Sequence, residues 1–268
     1  MTNILIISQL QDQSALLLVH TLRQQGRVAV EHVTDIDLIA ADWHVSLTTT
    51  ASEWRLVLTD GRVLSSATVD VVYSRLLHLR STPFRSEVDT AYAQSEWHAL
   101  LSGWLRHLGS SLAGALSPTT LANGSPNALL RLYELAQAGL PVPDLSASTT
   151  AARAVGQAEP HVGHWQQEPL IAQSGSALAL GPQRVGLLAG LFDEAIGQLQ
   201  TNLGCDLLQV YFMRTEQGHW KATDYQTLVE PHSPDELLAL ADYVTNRPRL
   251  ARPRVPIAHP PTPNHALV

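Results

Sequence analysis

Asp224 and Gln226 lie two residues apart and would present a carboxylate and an amide oxygen on one face of a strand. By themselves they read as two polar side chains on the exposed face of a strand. Arg75 and Arg214 fall at expected strand ends, where a guanidinium can grip an anion bidentately or can simply be ion-paired and solvated. The 17 basic residues comprise 16 arginines and one lysine, Lys221, so no mechanism that needs a lysine pair is open to this chain. His161 and His164 have no third ligand nearby and read as loop residues rather than a metal centre. The small residues of Gln173-Ser174-Gly175-Ser176-Ala177 read by themselves as a flexible connection. Cys205 has no activating cation beside it in sequence and is expected to be a buried, inert thiol.

Composition narrows the classes. The chain has 268 residues, 45% of them hydrophobic, enough for a sizeable core in one or two domains. A net charge of -7 argues against broad electrostatic binding to nucleic acid or to an anionic membrane. No apolar run approaches the roughly 18 to 20 residues that cross a bilayer. Cys205 is the only cysteine, which excludes an intrachain disulfide and any multi-cysteine zinc site. A soluble, cytoplasmic protein is the expectation.

The elements that must position these residues follow from periodicity. The apolar run Asn3 to Ser8 predicts a strand buried on both faces. Ala15, Leu18, Val19 and Leu22 recur at helical spacing and Gly26 ends that helix. A second strand is expected from Val28 to Val33, and then a meander over Val45 to Thr49, Trp54 to Leu58 and Val63 to Leu64, turning at Asp60-Gly61. Val69 to Tyr73 should return to the sheet as a central strand. Trp97, Leu100, Leu101, Trp104, Leu105 and Leu108 form one apolar stripe on a long helix starting near Ser86 to Thr90 and ending at Gly109. The loop Ser117 to Asn127 precedes a helix over Ala128 to Ala138. Ser146 to Pro182 is weakly patterned, and only a strand or two is expected there. Leu187 to Leu203 reads as a helix, Asp206 to Arg214 and His219 to Val229 as a strand pair turning at Glu216-Gln217-Gly218, and Pro234 to Val244 as a last helix. Four arginines and six prolines after Asn246 make a solvated tail.

This order resembles the ATP-grasp superfamily, in its branch of RimK-like and microviridin-type peptide-modifying carboxylate-amine ligases, over about residues 1 to 246. The resemblance is carried by Asp70-Val71-Val72-Tyr73-Ser74-Arg75-Leu76, by Glu96 in the tryptophan-containing helix, by Ala138-Gly139-Leu140-Pro141-Val142-Pro143, and by the terminal strand pair from Gly204 to Gln226. It implies an α/β fold: an N-terminal pre-ATP-grasp-like α/β domain (1–78), a linking helix and loop (79–126), a shortened ATP-grasp-like α+β domain (127–246) and a Pro/Arg-rich tail (247–268).

The resemblance also implies that ATP and magnesium are held by an acidic residue on the penultimate strand, a Glu-x-Asn pair on the last strand and two lysines. Those positions fall here on Tyr211, Asp224 and Gln226. A phenol is a poor magnesium ligand at neutral pH. Lys221 matches neither lysine position, and the Val142–Leu187 region, which in the family supplies the lid, is short; within it Gln173 to Ala177 resembles the small-residue loop that in the family folds over phosphates. The expectation is therefore a ligase-like pseudoenzyme with no cofactor that binds a peptide, a metabolite or a ligase partner. On this reading Arg75, Arg214 and Lys221 are candidate anion or nucleotide contacts, and Asp224 and Gln226 a degenerate metal site. The alternative is a divergent ATP- and magnesium-dependent carboxylate-amine ligase.

Overall fold

The computed structural model describes residues 1–47, 52–76, 85–114, 127–143, 145–147, 165–167 and 170–248. His161, His164 and the tail beyond Pro248 lie outside them.

Strand β1 (Thr2–Ser8) leads to helix α1 (Gln13–Gln25), which buries the four predicted apolar positions and ends at Gly26 with φ 64°. Strand β2 (Val28–Thr34) follows, then α2 (Asp35–Ala40), a short helix that the sequence reading missed. Its six residues carry no full hydrophobic period, but Thr34 and Asp37 close a capping box around its first turn. The meander is β3 (Asp42–Leu47), β4 (Ser52–Val57) and β5 (Val63–Ser65), an antiparallel three-stranded sheet turning at Gly61 with φ 86°. Strand β6 (Val71–Arg75) and the short β7 (Leu112–Ala113) complete a parallel sheet of order β2-β1-β6-β7.

Helix α3 (Glu87–His107) covers one face of that sheet. Leu101, Trp104, Leu105 and Leu108 pack against Leu5, Ile7, Trp54 and Val72, whereas Trp97 is half-buried and Leu100 is 37% exposed. The predicted stripe is thus buried in its C-terminal part, because the first three turns of α3 run past the edge of that core. With β7 in the sheet and α3 on its face, the segment that reads from sequence as a link is packed into the first structural layer.

The second part comprises α4 (Ala128–Gln137), the antiparallel pair β8 (Leu145–Ala147) and β9 (Trp165–Gln167), β10 (Leu170–Leu180), β11 (Gln183–Val185), α5 (Asp193–Leu203), β12 (Leu207–Thr215), β13 (Trp220–Gln226) and α6 (Pro234–Thr245). Its antiparallel sheet has the order β11-β10-β12-β13. The expected helix from Leu187 begins only at Asp193, since Gly186 and Gly190 take φ of 111° and 89°, values that helices do not accommodate. Helices α4 and α5 bury one face of the sheet through Leu135, Ile196, Leu199, Val210 and Phe212. A third cluster joins the two sheets: Ile4, Ile6 and Leu18 pack with Leu178, Leu207 and Leu240. Arg247, expected to start the tail, docks instead, donating to Asp206 Oδ2 at 2.6 Å and to Leu112 O at 2.9 Å.

Candidate functional site

Strand alternation decides which side chains of β12 face the cores. Leu208, Val210 and Phe212 point to α4 and α5, leaving Gln209, Tyr211 and Met213 on the opposite face. The register sets Gln209 opposite Gln226 and Tyr211 opposite Asp224, with an irregularity between Tyr211 and Phe212 where β13 accommodates the extra residue Thr223. Cross-strand pairing with β10 places Ser176 beside Tyr211. Of this face, Ser176, Tyr211, Met213 and Thr223 border an open cleft of about 810 Å³ whose other wall is formed by Gly186, Leu187 and the start of α6.

At the positions implied for magnesium the polar groups satisfy one another. Gln209, fully buried, accepts at Oε1 from Glu230 N (2.7 Å), Tyr211 Oη (3.1 Å) and Gln226 Nε2 (3.3 Å), and donates to Glu230 O (2.9 Å). Gln226 Nε2 also donates to Tyr211 Oη, so the phenol both gives and receives a hydrogen bond. Burial pushes the Tyr211 phenol above its usual pKa, with the Glu230 carboxylate adding to the rise. It is therefore neutral at physiological pH.

Asp224 is not a free surface carboxylate. Arg131 of α4 donates through Nε to Oδ1 at 2.5 Å and through Nη2 to Oδ2 at 3.4 Å, and Tyr225 N donates to Oδ1 at 2.8 Å. The hydroxyl of Tyr225 donates to Glu134, one helical turn after Arg131, so α4 fastens β13 at two points. Sequence reasoning missed Arg131, which is 93 residues from Asp224. The one available signal was Arg131 and Glu134 at i, i+3 on a helix otherwise rich in leucine.

The three candidate anion contacts are not brought together. Arg75 is buried at 2% exposure, donating to Asp12 Oδ2 at 2.7 Å, to Tyr73 Oη at 3.3 Å and to Val229 O. Asp12 also caps α1 by accepting from Ala15 N at 3.0 Å, so Arg75 ties α1 and β6 to the segment after β13. Arg214 holds the β12–β13 turn, donating to Gly218 O at 2.9 Å and Gln173 Oε1 at 3.0 Å. Lys221 donates to Val142 O at 3.3 Å, while Ala222 N donates to Pro141 O, so the Gly-Leu-Pro-Val segment lies along the outer edge of β13. Cys205 is buried, and burial with Asp206 beside it pushes its thiol up to about 12. Among the described residues no cluster of three His, Cys, Asp or Glu side chains could hold a metal ion. No described helix is long and apolar enough to cross a membrane.

No protein-family model matches the sequence, and no curated protein sequence matches it. Solved structures do. Macrocyclase MdnB from Microcystis aeruginosa MRC is 15% identical with a TM-score of 0.64, over 91% of this chain and 100% of that one. The ATP-grasp ligase PsnB complexed with a minimal precursor is 15% identical with a TM-score of 0.63, over 91% and 98%. A RiPP-associated ATP-grasp ligase from Chryseobacterium gregarium, in complex with ADP and a leader and core peptide, is 10% identical with a TM-score of 0.58, over 91% and 95%. At these identities the likeness is one of fold, and it spans both parts of the chain: this protein has the mixed α/β fold of the ATP-grasp ligases, as the sequence resemblance implied.

Proposed function

We propose that this chain is a binding or accessory protein on an ATP-grasp scaffold that does not perform nucleotide-dependent ligation. The observation carrying this reading is the Arg131 clamp on Asp224, the one carboxylate at the three positions implied for magnesium. A divalent ion on Asp224 would sit beside that guanidinium. At ~4 Å their repulsion is about 2 kcal/mol even with full aqueous screening. The remaining positions offer a neutral phenol and an amide already bound to each other. Magnesium prefers anionic oxygens in octahedral geometry, so this donor set does not fit it.

Ligation of this kind depends on positioning and on neutralising phosphate charge, and both supports are weak here. The scaffold still has an open cleft, and proteins of the same fold have been crystallised with precursor peptides. A peptide, a metabolite or a partner enzyme is the corresponding class of ligand for this chain. The second reading is a divergent carboxylate-amine ligase; it is favoured by the near-complete coverage of ligase structures, two of them holding ADP and Mg. Phosphate release from ATP with magnesium, with and without mixed carboxylates and amines, separates the two. Release no faster than the buffer blank is expected. Turnover that Asp224→Asn abolishes would establish the ligase.

A further inference from the structure

The cleft between the β10–β12–β13 face and the start of α6 has chemistry of its own, and what it would bind deepens the accessory-protein reading and rests on it. Its described lining includes Asp235 and Glu236 but no arginine or lysine. The cations on adjoining elements are engaged elsewhere: Arg131 on Asp224, Arg214 on Gly218 O, Lys221 on Val142 O. The N-terminus of α6, which alone would welcome an anion, is occupied by its own groups. Glu236 N donates to Ser233 Oγ at 3.2 Å, and His232 N donates to Glu236 Oε2 at 2.6 Å. Gly186 passes so close that a Cβ there would lie 2.7 Å from Glu236 Oε1, which fixes that carboxylate below the cleft while Asp235 stays exposed.

Three further features point to a guest. Ser176 is 8% exposed and lines the cleft opposite Tyr211, yet its hydroxyl makes no hydrogen bond among the described residues. The rings of Tyr211 and His232 stand 6.2 Å apart and tilted by 58°, offering aromatic surface. Leu187, 70% exposed, and Met213 supply an apolar flank. We propose that this cleft binds an alkyl-guanidinium or alkyl-ammonium group, with the stem against Leu187 and Met213 and the cationic head toward Asp235, Ser176 and the aromatic pair. A cation gains there from carboxylates and π faces, and a triphosphate meets only like charge.

The probes are acetyl-Gly-Arg-Gly-amide, its citrulline counterpart and agmatine, titrated calorimetrically into the full chain at low and high salt. The arginine peptide or agmatine should bind at least tenfold more tightly than the citrulline peptide, with affinity falling several-fold at high salt. Asp235→Asn and Ser176→Ala should each weaken binding threefold or more; both are small changes at sites that leave the core intact. Tight binding of agmatine assigns the site to a free small cation, and binding of the peptide alone assigns it to a side chain. Equal binding of the arginine and citrulline peptides, or no heat from either cation, would overturn the proposal. Failure of the underlying accessory-protein reading would look different: Mg·ATP would bind and turn over whatever the cations do.

Discussion

Truncating Trp104 tests whether the C-terminal part of α3 is a core element. Its side chain is fully buried, with ring centroids 5.3 Å from Trp43 and 5.2 Å from Trp54, both edge-on. Trp104→Ala removes that burial and leaves a cavity, a change costing about 3–5 kcal/mol. The lost ring contacts add to this, while removal of the indole N–H, which finds no partner among the described residues, gives back about 1–3 kcal/mol. The net expectation is about 3–5 kcal/mol, or a fall in Tm of roughly 6–20 °C for a chain of this size. Trp104→Phe keeps a ring and deletes the orphaned donor, so its loss should stay below about 1.5 kcal/mol. Urea and thermal melts followed by circular dichroism report both variants. A change below about 1 kcal/mol for Trp104→Ala, or equal losses for the two variants, would refute the packing argument, and a loss well above about 1.5 kcal/mol for Trp104→Phe would refute the role given to the N–H.

Three further outcomes follow from buried polar groups. Arg75→Met should destabilise by about 3–5 kcal/mol, because it strips the buried partner from Asp12 and the donor from Val229 O, and a fall under about 1 kcal/mol in a urea melt would contradict that. His32 is held below its ordinary pKa of 6.5 by burial and then by Arg23, so near and below pH 6.5 the unfolded chain binds more protons than the fold. Stability contributed by the neutral ring is therefore complete above pH 6.5 and declines as pH falls below it; a His32→Gln variant with the same slope of urea midpoint between pH 7.5 and 5.5 would count against this. Cys205, with its thiol pushed up to about 12, should resist a thiol-reactive disulfide reagent at pH 8 in the native state and react at once in denaturant, and rapid native labelling would show the burial to be wrong.

The parts legible in the sequence are those with a strong local period. Asn3 to Ser8, the α1 stripe ending at Gly26, the Asp60-Gly61 turn and the β12–β13 pair each carry their signal within ten or so residues. The long strand β10 was not legible, because Ser174, Gly175, Ser176 and Ala177 lack the β-branched side chains that mark strands and are held by pairing with β12 instead. The exposed start of α3 was invisible for a related reason, since spacing shows which face is apolar and not how far a neighbouring core extends. At the site, Tyr211, Asp224 and Gln226 could be aligned from the strand pair. The clamp on Asp224 could not, because it comes from a helix 93 residues away in the chain. Arg75, a candidate anion contact by residue type, is buried between Asp12 and Val229 O, a pairing across 63 and 154 residues that no local pattern encodes.

The central proposal is that this chain does not bind nucleotide on its ATP-grasp-like scaffold, and a calorimetric titration of ATP with magnesium tests it most directly. With Arg131 on Asp224 and a neutral phenol–amide pair beside it, no heat of binding is expected up to millimolar nucleotide, and Arg131→Ala alone should not create a site. Micromolar binding that requires magnesium and disappears in Asp224→Asn would contradict the account.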